Sequence, residues 1–296
     1  MTSSLQDLIQ AGAASRKARD FRAAAELYRR ALELDPHEAQ ALRGLADACR
    51  GLGDARRCLE AWDRYLALRP GEGLVQTRVG DACRRTGKGD RAAAHYHAAL
   101  RHDPDDRYAL MGLGDLYLKE HRIDEALDCF ERLLILDPGR LDIRLLAGNL
   151  QRRRLAFDRA EAHFREALRV DPHHVHALFG LADALRGQGR FDEAAPYWEQ
   201  VLAADPGHRQ ALCRAAECFT GQGRLALAEA TFHRALEAGY DRAAWLGLAR
   251  VHLLEEDPAA AVRCCQVVLG RNPGDARARS LLAEARERPV GMKAPG

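Results

Sequence analysis

Apolar residues recur along this chain at helical spacing, and the pattern repeats with a fixed period. Pro36, Pro70, Pro104, Pro138, Pro172 and Pro206 stand 34 residues apart; Tyr240 holds the next slot and Pro273 follows. Proline cannot continue a helix and restrains the residue before it, so each marks a helix end. A period of this length is the mark of a repeat array. With the proline at position 32, the repeats are 5–38, 39–72, 73–106, 107–140, 141–174, 175–208, 209–241 and 242–275.

Within each repeat, position 28 is always leucine, from Leu32 to Leu269. Position 20 is alanine in seven of eight repeats, and position 24 is aromatic in seven of eight; Cys58 and Cys265 are the exceptions. Two successive i,i+4 steps put the small residue, the ring and the leucine on one helical face. A second stripe runs through positions 4, 7, 8 and 11, as in Leu110, Leu113, Gly114 and Tyr117. Glycine at position 15 (Gly53, Gly87, Gly189, Gly223) separates the two halves, as expected just past a helix end. Acidic residues near position 18, such as Asp124, Asp158 and Asp192, suit the positive end of a second helix. Each repeat is therefore expected to be helix–turn–helix. Gln76 and Arg144 depart from the stripe at position 4, and Pro196 falls inside the second helix of its repeat, where a kink is expected.

These positions resemble the tetratricopeptide repeat family over residues 5 to about 288, through the alanine at position 20, the aromatic at 24 and the proline at 32. The resemblance implies an all-α, right-handed superhelical solenoid, with the first helices lining a concave groove. The expected division is a tail over 1–4, eight repeats over 5–275, a capping helix over 276–288 and a loose tail over 289–296. In the cap, Ala276, Leu281, Leu282 and Ala285 are expected on the packed side.

Composition narrows the class. The 296 residues carry 45 Lys and Arg against 43 Asp and Glu, a net charge of +2. Nothing in that balance points to nucleic acid. The charge alternates locally, acidic over 107–140 and 175–208 and basic over 141–174 and 276–296. No signal-like segment or spanning run is read, so a cytoplasmic protein with no membrane insertion is expected. The arginine excess over lysine suggests a bacterial, GC-rich origin. No P-loop, G-x-S-x-G or H-E-x-x-H occurs, so neither enzyme activity nor a cofactor is expected. Gly112-Leu113-Gly114 lies inside a helix with no strand before it and is not a dinucleotide fingerprint. Four of the eight cysteines, Cys49, Cys58, Cys83 and Cys265, sit at packing positions, and His173, His174 and His176 cluster at a turn.

The family's groove-facing positions place Asp115, Asn149 and Asp183 at position 9 and Arg84, Arg152 and Arg186 at position 12. Residues three apart share a face, so Asp47–Arg50, Asp81–Arg84 and Asp183–Arg186 are expected to pair. Tyr108, Met111, Leu145, His176 and Phe179 hold positions 2 or 5 of the middle repeats. None is required by the repeat core, so they are read as anchors for a partner segment. A chaperone-gripping clamp is not expected, since no repeat has lysine at position 5. The main reading is a scaffold that binds a protein or peptide in the groove. The alternatives are a substrate-presenting subunit of an enzyme system such as a glycosyltransferase, or a metal or thiol redox sensor. Self-association is a further possibility.

Overall fold

The computed structural model describes residues 4–70, 72–237 and 239–287. It divides into two compact units, Met1–Pro138 and Gly139–Gly296. The first holds α1 (Leu5–Lys17), α2 (Phe21–Leu34), α3 (Ala39–Gly51), α4 (Ala55–Leu68), α5 (Gln76–Arg85), α6 (Gly89–His102), α7 (Arg107–Lys119) and α8 (Ile123–Leu136). The second holds α9 (Leu141–Arg153), α10 (Phe157–Val170), α11 (Val175–Gly187), α12 (Phe191–Ala204), α13 (Arg209–Gly221), α14 (Leu225–Glu237), α15 (Arg242–Leu254), α16 (Pro258–Arg271) and α17 (Ala276–Glu287). No strand occurs among the described residues. Within each unit a helix packs on its hairpin partner, and the first helices of neighbouring repeats also meet, as α1 meets α3 and α13 meets α15.

Every described repeat turn places position 15 in the left-handed region. Glycine fills it at Gly53, Gly87, Gly189 and Gly223, with φ from 73° to 77°. Arg19, His121, Leu155 and Glu256 take the same place with φ of 60–63°. The turn geometry is imposed by the repeat, and these four side chains accept the strain of a conformation that crowds Cβ.

Where position 24 is Tyr28, Tyr96 or Phe164, the ring is seated between two first helices. Tyr28 lies against Gly12 of its own repeat and Gly44 of the next; a Cβ on either glycine would overlap the ring. Tyr96 sits in the same way between Gly80 and Gly112, and Phe164 between Gly148 and Gly180. A second interlock joins position 17 to position 13 of the following repeat. Phe21 meets Gly51, Phe157 meets Gly187, and Phe191 meets Gly221. Gly112 and Gly114, far from holding a nucleotide, make room for Tyr96 and Phe130. Arginines at position 26 tie the stack outside: Arg64 donates to the Pro36 carbonyl at 2.8 Å and Arg132 to the Pro104 carbonyl at 2.5 Å.

Three features of the sequence take a definite place in the structure. The off-pattern Gln76 coincides with a shortened first helix: a 3₁₀ turn over Gly73–Val75 precedes a ten-residue α5. Gln76 is buried, and its Oε1 lies 2.7 Å from His95 Nδ1. Pro196 sits within α12 without ending it, and its ring is on the exposed side. In α17 the buried residues are Ala278 and Ala285, with Leu281 and Leu282 partly covered; Ala276, the first residue of the helix, is exposed. Of the expected tail over 1–4, Ser4 caps α1, while residues 1–3, the expected tail over 289–296 and the cap's last residue 288 lie outside the described residues.

Two opposite outcomes are expected in urea denaturation. Gly180→Ala overpacks the Phe164 seat and destabilises the protein by about 1–3 kcal/mol. Leu155→Gly relieves the left-handed strain and stabilises it by up to about 1 kcal/mol, because the relief exceeds the added chain entropy.

Candidate functional site

The first-helix faces carry the candidate residues, and each unit organises them around a buried aspartate. In the second unit Asp183, on α11, is 3% exposed. It pairs with Arg152 from α9, with Arg186 at 2.8 Å on its own helix, and with Arg214 from α13 at 3.7 Å. Arg152 also donates to Asn149 Oδ1 at 3.3 Å. Arg186 and Arg214 each reach Glu217, at 3.0 and 3.1 Å. The first unit repeats the node in the same register. Asp47, on α3, pairs with Arg16 at 3.2 Å, Arg50 at 3.7 Å and Arg78 at 3.2 Å.

The expected i,i+3 pairs are therefore present, including Asp81–Arg84 at 3.8 Å, and Arg84 also reaches Asp115 at 3.7 Å. The inter-repeat arms from Arg16, Arg78, Arg84, Arg152 and Arg214 go beyond the expected pairs. Their signal was available: each arginine lies 31 residues before or after its aspartate, three short of the repeat period. That offset brings position 12 of one repeat and position 6 of the repeat two along onto position 9 of the repeat between them.

The nodes change what this face offers. The aspartates are spent inside the fold, whereas the guanidiniums stay partly exposed, from 21% at Arg186 to 50% at Arg50. A guanidinium has five donors, and one shared carboxylate leaves several of them for an outside acceptor. Burial alone would raise the Asp183 carboxyl, but Arg186, then Arg214 and Arg152, hold it below the ordinary value.

The apolar candidates separate into two groups. Tyr108 is 81% exposed and His176 is exposed, while Met111 is half-buried. Leu145 and Phe179 instead pack on the second unit's core. Phe179 meets Trp198 edge-on, with centroids 5.0 Å apart, and lies 5.7 Å from His208. The reading that the core needs neither residue is corrected: both pack on the core, and Phe179, at position 5, reaches the Trp198 ring at position 24 of its own repeat.

The histidine turn has a structural explanation. His174 Nδ1 accepts from the Ala177 amide at 3.3 Å and so caps α11; His208 caps α13 through Ala211 at 3.1 Å. Asp106 holds the same repeat position and caps α7. Among the described residues no group of His, Cys, Asp and Glu is arranged to hold a metal. All eight cysteines are buried, and burial pushes the thiols up, to about 11 at Cys58 and about 12 at Cys213. A thiol held protonated is a poor nucleophile, which disfavours a redox role. No helix among the described residues is long and apolar enough to cross a membrane.

Asp183→Ala leaves three guanidiniums without their shared counter-charge and is expected to cost about 3 kcal/mol in urea denaturation. Asp47→Ala is expected to cost less, because the arginines around it are more solvated. The lowered carboxyl also sets a pH dependence. The folded state favours ionised Asp183, so its contribution is present above its unfolded value of about 4 and is lost as pH falls through the lower folded value. The stability gap between wild type and Asp183→Asn should accordingly narrow from pH 7 to pH 3.

Comparison with known proteins agrees with this architecture. One tetratricopeptide repeat model matches residues 77–140 and 145–208, and another matches 15–77 and 185–251. No curated protein matches at a significant level. Among solved structures, the C-terminal part of a TPR repeat-containing protein from Cytophaga hutchinsonii is 14% identical with a TM-score of 0.61, over 93% of this chain and 99% of that one. A tetratricopeptide repeat protein from Parabacteroides merdae is 19% identical with a TM-score of 0.52, over 84% and 98%. YrrB, described as a TPR protein with an unusual peptide-binding site, is 22% identical with a TM-score of 0.53, over 60% and 92%.

Proposed function

Since the chain belongs to the tetratricopeptide repeat family, we propose that it is a non-enzymatic scaffold holding an extended segment of a partner protein on the first-helix face of its repeats. The observation that carries this reading is the division of labour in the aspartate nodes. Asp47 and Asp183 are buried, while the arginines around them remain partly open to solvent. A row of partly exposed guanidiniums on rigid helices is suited to carboxylates and backbone carbonyls of a chain laid across it. Rigid presentation lowers the ordering cost on the protein's side, so many modest contacts can add up to useful affinity.

Tyr108 adds a second kind of contact. It is the most exposed of the large hydrophobic side chains among the described residues, and it is not among the buried residues of α7. An exposed ring beside charged neighbours is a good contact for a partner's apolar side chain.

Site-specific photo-cross-linking in cells tests the reading. A photoreactive phenylalanine at Tyr108 or at His176 is expected to trap a common partner protein. The same group at Ile135, exposed on the second helix of its hairpin, should not trap it. Equal trapping from Ile135, or none from Tyr108 and His176, would refute the first-helix face as the docking side.

A further inference from the structure

The second unit contains a cavity that the residue pattern did not point to. It has a volume of about 400 Å³ and opens among α13, α15 and α17, on the same first-helix side as the arginine node. Ligand pockets begin at about this size. Of the candidate residues, Arg186 lines it.

Its origin lies in side-chain size. Gly221 gives up its side chain to Phe191, and Gly247 gives up its own to Phe232. Ala243, exposed in the first turn of α15, adds no bulk either. Leu246 is buried and Leu254 is 44% exposed; together with Phe191 they make an apolar lining. An accessible cavity lined by leucine and phenylalanine favours a large apolar side chain over water.

The rim has one dominant charge. Arg186, Arg242, Arg250 and Arg277 line the cavity against a single acidic residue, Glu217. Most of their partners stand away from it. Arg242 pairs with Asp275, whose side chain is 2% exposed, and Arg186 with Asp183, whose side chain is 5% exposed. Arg250 reaches Glu284 at 3.4 Å. Arg277 is exposed and forms no ion pair among the described residues. A ligand arriving from solvent therefore meets guanidinium first.

We propose that this cavity is the specificity site for the partner: it takes one large aliphatic or aromatic side chain from a segment whose flanking residues are acidic. The proposal rests on the scaffold reading and adds the chemistry of the ligand. Charge complementarity selects this occupant over the chain's own last residues. Residues 288–296 carry Arg288 and Lys293 and no acidic side chain, the wrong sign for an arginine rim. Apolar burial supplies the anchor, and the acidic flanks supply orientation and a salt-sensitive on-rate.

The test uses the full chain and a phage-displayed library of random dodecapeptides. Enriched peptides are expected to share one large apolar residue with Asp or Glu on both sides. Synthesised and titrated, they should bind Ala243→Trp, which fills the cavity from its exposed edge, at least tenfold more weakly than wild type. Arg277→Glu should weaken binding by a similar factor, as should changing the peptide's apolar residue to glycine, with both protein variants keeping the wild-type melting temperature. Peptides that bind Ala243→Trp as well as wild type, or that lack the acidic flanks, would overturn the cavity assignment while leaving the scaffold reading intact. A library with no enriched peptide would also overturn it, and the cross-linking at Tyr108 and His176 then decides the scaffold reading separately. Light scattering adds the last outcome: a dimer that Ala243→Trp dissolves would assign the cavity to a second copy of this chain and overturn the peptide.

Discussion

The structure depends on a ring with no room to spare. At Tyr28, Tyr96 and Phe164 the aromatic at position 24 is inserted between the first helix of its own repeat and the first helix of the next, and it fits because those helices lack a Cβ where the ring passes. Gly12 and Gly44 around Tyr28, and Gly148 and Gly180 around Phe164, are the clearest cases. Close packing of this kind is stiff, since displaced atoms have nowhere to go. One contact therefore does two jobs. It closes the hairpin, and it sets the spacing and rotation of the repeat that follows. The alanine at position 20 belongs to the same seat, fully buried in Ala24, Ala92, Ala160 and Ala194.

With the first helices held at that spacing, polar chemistry between repeats becomes possible. An arginine at position 12 of one repeat and another at position 6 two repeats along converge on a single aspartate between them. Asp47 and Asp183 are the outcome, in the same register in the two units. A buried carboxylate is tolerable only when it is paired, and three guanidiniums pair it well. The excess positive charge remains at the surface, where it gives the first-helix face its character. The arginines thus stabilise the stack and supply the recognition chemistry at once, and substitutions there need stability controls before any loss of binding is interpreted.

Much of the fold was legible in the residues because it rests on local rules. Proline ends helices, glycine takes left-handed turns, and a small–aromatic–leucine stripe at four-residue steps buries one face. The first residues of α3, α7, α9, α11, α13, α15 and α17 fall on the repeat boundaries read from proline alone. The site was less legible, because position in a repeat does not report on neighbours. Phe179 and Leu145 look free on a helical wheel and are partly buried by contacts outside their own helix. His174 looks like a ligand in a cluster and is a helix cap. Arg78 and Arg214 hold position 6, off the buried stripe, and are the second arms of the nodes.

The amino-acid sequence by itself determined the number and kind of the elements, their turns and the faces they bury, since these follow from spacing and from backbone preferences within a few residues. Tertiary structure alone decided which charges are consumed and which are offered. It also decided where a cavity opens. Those outcomes depend on side chains brought together from different helices, such as Asp183 with Arg152 and Arg214, or Gly221 and Ala243 beside Arg277. Distances of that kind are set by how closely one helix can approach the next, and the missing Cβ atoms beside Tyr28, Tyr96 and Phe164 set that approach in their repeats.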